Sequence, residues 1–183
     1  MSAGLQGDPG SCSQAGGSLR RLSSRLESAT TRADRATGDL RSDDATSGGR
    51  EQARTRRAAR DLARRQRALL DAAHAMSTQL DRAGSALQEH SSDLAEALQE
   101  LRDLEGRAAA AGLRFVDGRV ELRWGVAGVA DAGDAAARQG VRDELQTRVD
   151  RVLLLLARRR ARLAEALESA RQALADEAAA VRR

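Results

Sequence analysis

The sequence has no tyrosine and no lysine, and only one proline, one tryptophan, one phenylalanine and one cysteine in 183 residues. A globular enzyme core draws much of its buried area from aromatic rings. Here burial has to come from Leu, Val and many Ala, small side chains that suit closely packed helices. Cys12 stands alone, so no internal disulfide can form. No stretch of about 18 apolar residues exists, which leaves no candidate membrane span. The longest apolar run, Val152 to Ala157, reads as part of a helix stripe. The first residues have no apolar segment of the kind that directs Sec export, so the expected location is cytoplasmic, or outside the cell by a non-Sec route.

What remains is rich in Ala, Leu, Arg, Gln and Glu, the strong helix formers. With 32% charged residues, this balance predicts long helices or coiled coil. The net charge of +4 comes from 31 basic and 27 acidic residues. All the basic ones are Arg, which reads as a bias towards GC-rich codons. The two signs interleave, as on a solvated helical surface. A general nucleic-acid binder carries a larger excess.

Residues 1–8 read as a flexible start. Asp8-Pro9 opens a helix, with Asp8 as N-cap and Pro9 at the first helical position. The stripe Cys12, Ala15, Leu19, Leu22, Leu26, Ala29, Ala33, Ala36, Leu40 then steps by three and four, a heptad seam. Gly16, Gly17 and Gly38 weaken this helix locally. The first helix is expected over about 9–41. Ser42 to Gly49 is a turn by composition. A second helix, expected over about 50–111 and on the order of 90 Å long, carries Leu62, Leu69, Ala73, Met76, Leu80, Ala83, Leu87, His90, Leu94, Leu98, Leu101, Leu104 and Ala108.

At Gly112 the period changes. Leu113 to Val116 and Arg119 to Trp124 flank Asp117-Gly118, a strong signal for a β-hairpin. The connector is expected over 112–130. Asp131 can cap a last helix over 131–183, whose seam runs from Val141 to Val181 and breaks once, at Arg159-Arg160. The predicted fold is all-α. It is a long antiparallel helical hairpin, widened to a three-helix bundle by the last helix, with a small β-hairpin between helices two and three. Short connections make neighbouring helices antiparallel.

Few residues suggest chemistry. His74 and His90 lie about 24 Å apart along one helix and cannot share a metal. His90 sits on the apolar seam, as a buried or edge histidine or as a lone ligand. Cys12 lies on the first stripe, as a small buried hydrophobe or a reactive thiol. No phosphate-binding glycine loop is present, and no nucleophile, base and orienting group can be assembled. The expectation is a protein without catalytic, metal or cofactor sites. Trp124 is either a plug sealing one end of the bundle or an anchor for a partner. Arg54, Arg56, Arg57, Arg60 and Arg64 belong to an arginine-rich stretch from Arg50 to Arg67 that holds only Glu51 and Asp61 as acids. Such a basic face can meet phosphate backbones or anionic membranes. A second basic cluster is Arg158-Arg159-Arg160 with Arg162.

The Gly7-Asp8-Pro9 start, the Leu19, Leu22, Leu26 spacing of the first helix, the glycine turn and the Ala/Arg-rich second helix resemble the WxG-type, Esx-like helical hairpins of actinobacteria. The similarity covers roughly the first 110 residues. In that family the turn is Trp-x-Gly. Here Ser47, Gly48 and Gly49 stand in its place, so only Gly49 matches. The family's Tyr-x-x-x-Asp/Glu export signal is absent with tyrosine. The resemblance implies a helical hairpin linked to type VII secretion, as a substrate or an accessory partner. Two functions are therefore expected from the sequence. One is a non-catalytic helical interaction protein, pairing seam residues Leu80, Leu87 and Leu94 with a helical partner or a second copy. The other is a binder of nucleic acid or an anionic surface through the arginine face.

Overall fold

A computed structural model describes residues 8–43, 51–122 and 132–182; within these, side chains are described outside 38–43, 51–56 and residue 132. In chain order the elements are α1 (Pro9–Asp43), α2 (Glu51–Ala110), β1 (Leu113–Val116), β2 (Arg119–Leu122) and α3 (Ala132–Arg182). The described residues are all-α apart from one small antiparallel sheet.

The ends of these elements follow local chemistry. The Asp8 carboxylate accepts hydrogen bonds from Gly10 N–H at 3.2 Å and from Ser11 N–H at 2.8 Å, and a third from the Ser11 hydroxyl at 2.7 Å. It thereby satisfies donors that the first turn of α1 leaves free. The Ser11 hydroxyl, followed by the two backbone N–H groups, holds this carboxyl below its ordinary range. At the far end of α2, Gly112 takes a left-handed φ of 71° and its N–H returns to Ala109 O at 3.0 Å. The cost of that conformation is small for glycine, which is why the helix stops there.

Strands β1 and β2 pair antiparallel, Leu113 with Leu122 and Val116 with Arg119. Asp117 and Gly118 between them both have positive φ, 49° and 80°. This is the mirror-image turn whose twist matches the two strands. Leu113, Phe115, Val120 and Leu122 share one face, and Leu113 and Val120 are buried there. Side chains of α3 hold the outer edge of β2. Val120 N–H donates to Gln146 Oε1 at 2.7 Å, and Val120 O accepts from Arg142 Nε at 3.1 Å.

The chain divides into two compact units, residues up to Ser13 with Gln88–Ala164, and Gln14–Leu87 with Glu165–Arg183. The first unit holds the main core. Leu94, Leu101, Leu104 and Ala108 of α2 meet Leu145, Val149, Val152 and Leu156 of α3, with Leu113 and Val120 closing the layer. Within this unit the two helices run in opposite directions. Arg107 approaches Glu144 at 3.8 Å, while Asp93 near the other end pairs with Arg159 at 3.1 Å.

Arg159 corrects a sequence expectation. The α3 seam was expected to break at Arg159-Arg160. Instead Arg159 is half-buried at the next seam step after Leu156, and its guanidinium also lies 3.6 Å from Glu96. It lines a shallow groove with Val152, Leu155 and Leu156, and its head reaches the carboxylates at the edge.

In the second unit the α1 stripe is also corrected. Leu22, expected on the seam, is 54% exposed, and Ala15, Ala29, Ala33 and Ala36 are exposed as well. Among the described side chains of α1 the buried positions are Gly16 and Ser23, one residue beyond Ala15 and Leu22, while Cys12, Leu19 and Leu26 of the expected stripe are half-buried. The Ser23 hydroxyl donates to Ser77 O at 2.9 Å and lies 3.0 Å from Ser77 Oγ. Arg20 pairs with Asp81 at 3.2 Å, and a Cβ built on Gly84 would sit 2.8 Å from Gly16 O. As α1 ascends, its partners on α2 descend. Small residues let the two backbones approach, and that contact outweighs the larger leucines beside it.

Two substitutions test this closeness. Gly84→Val is expected to destabilise by about 1–3 kcal/mol, because the added carbons overlap Gly16 O and Arg20. Gly106→Ala meets no atom within 4 Å and is expected to stabilise by about 0.5–1 kcal/mol. Thermal unfolding followed by circular dichroism checks both signs.

Candidate docking surface

The three leucines expected to form a partner seam do not share one fate. Leu94 is 0% exposed, at the centre of the first unit's core, and is spent on the chain itself. Leu80 and Leu87 are half-buried in the second unit. The apolar surface left open lies further back on α2. Leu62 is 68% exposed and Leu69 is 49% exposed. Seven residues apart, they start a row that continues through half-buried Met76 to buried Ala83. Sequence reasoning placed all four on one stripe and had no means of seeing where cover begins. Periodicity reports which residues share a face, whereas exposure depends on what lies across from it.

Another face of the same stretch is basic. Arg57, Arg60, Arg64 and Arg67 step by three, four and three, so they project from one side of α2. All four are exposed, and Arg64 pairs with Asp61 one turn back. Arg65 points elsewhere, near the row of Leu62 and Leu69. Of the arginines proposed for the basic face, Arg57, Arg60 and Arg64 are therefore solvent-facing. The side chains of Arg54 and Arg56 lie outside the described residues, and so do Trp124 and the turn residues Ser47, Gly48 and Gly49. In the second basic cluster Arg159 is engaged by Asp93 and Glu96.

An open groove of about 460 Å³ runs between α1 and α2 in the second unit, lined by Glu27, Thr30, Thr31, Asp34, Arg67, Asp71 and His74 among others. Its threonine hydroxyls turn inward. Thr30 donates to Leu26 O at 2.8 Å and Thr31 to Glu27 O at 2.9 Å. That spends the hydroxyl protons on the helix's own carbonyls.

Among the described residues no group of three His, Cys, Asp or Glu side chains could hold a metal ion. His74 is exposed at the groove. His90 is 8% exposed, with a buried Nδ1 that has no hydrogen-bond partner. Cys12 is a half-buried free thiol. Among the described residues, no helix is long and apolar enough to cross a membrane. Compared with protein-family models, with curated proteins and with solved structures, the chain matches none.

The division between spent and open leucines has a direct check. Leu94→Ala is expected to cost about 2–5 kcal/mol, the range for a fully buried leucine. Leu62→Ala is expected to stay within about 0.5 kcal/mol of the parent. Equal losses in denaturant titrations would show that both leucines are covered.

Proposed function

We propose that this chain is a non-catalytic helical interaction protein, acting by pairing an apolar helix row with a helix of another molecule. In this reading α1 and α2 form a long antiparallel hairpin, widened by α3 to a three-helix bundle over part of its length. The WxG-type resemblance of the first 110 residues then assigns it a role beside type VII secretion, as a substrate or an accessory partner.

The observation that carries the reading is the pair Leu62 and Leu69. A row that is buried by Ala83 stays open at its beginning, with two leucines one heptad apart. Leaving such side chains in water forgoes roughly 1.5–3 kcal/mol each, a gain that a docking helix can collect.

Light scattering with circular dichroism at low and high salt tests this. Burial of apolar surface is not screened by salt, and the exposed leucines are expected to drive reversible association at both salts with helicity unchanged. A strict monomer at every concentration and at both salts would mean that the helices satisfy one another, and the reading would fail.

A second reading rests on Arg57, Arg60, Arg64 and Arg67, which form one exposed basic side of α2. It makes the protein a binder of nucleic-acid phosphates. Four phosphate contacts on duplex DNA predict a slope of about −3.6 in the logarithm of affinity against the logarithm of salt. Arg60→Glu with Arg64→Glu should then abolish binding of a duplex oligonucleotide. If the parent protein binds none at low salt, this second reading is wrong.

A further inference from the structure

We draw no further inference here: the strongest candidate, the open apolar patch of Leu62 and Leu69 on α2, has a single exposed arginine, Arg65, beside it, and nothing in the structure shows what covers it.

Discussion

A chain with one phenylalanine and one tryptophan has to bury surface through small side chains, and small side chains gain contact only when backbones come close. The α1–α2 contact shows the consequence. At Gly16 and Gly84 there is no room for a single carbon between the helices, and at Ser23 and Ser77 the two hydroxyls lie 3.0 Å apart, each within hydrogen-bond reach of the opposing backbone carbonyl. Close approach at these positions fixes the rotation of α1. Once that rotation is set, Leu22 turns outward and cannot serve as a core residue. The leucine-rich core of the first unit obeys a looser rule, since leucine on leucine tolerates small adjustments.

Charge does structural work where apolar residues run short. Arg159 occupies a seam position, and Arg142 with Gln146 satisfies a strand edge. In each case a long side chain delivers its polar end to a carboxylate or backbone group across from it. This explains why α3 is the least amphipathic of the three helices although it carries much of the core. Leucines surround it from Val152 to Leu156, and an arginine stands on its inner side.

Local signals were legible in the sequence. The Asp8 cap with Pro9, the stop at Gly112 and the Asp117-Gly118 turn each depend on the conformational preferences of one or two residues. Residues with those preferences stand at the turns and helix ends. The phase of α1 was not legible, because hydrophobicity ranks Leu22 above Gly16, whereas helix approach ranks them in the opposite order. Arg159 read as an interruption for a similar reason, since its partners Asp93 and Glu96 are more than sixty residues away in the chain. The candidate surface was not legible either, since the partner seam was expected at Leu80, Leu87 and Leu94. Leu62 and Leu69 stand on the same stripe as Leu94, and only the path of the other helices separates them.

The clamp on β2 has one more effect. A two-stranded sheet leaves outward-pointing N–H and C=O groups, and such an edge can recruit a strand from a neighbouring molecule. Val120 N–H and C=O point outward from β2 and are already taken by Gln146 and Arg142, while Gly118 O accepts from Gln146 Nε2 at 3.3 Å. At Val120 that side of the sheet has no vacancy for a further strand. A strand from a neighbouring molecule would have to displace these α3 side chains before it could pair at Val120.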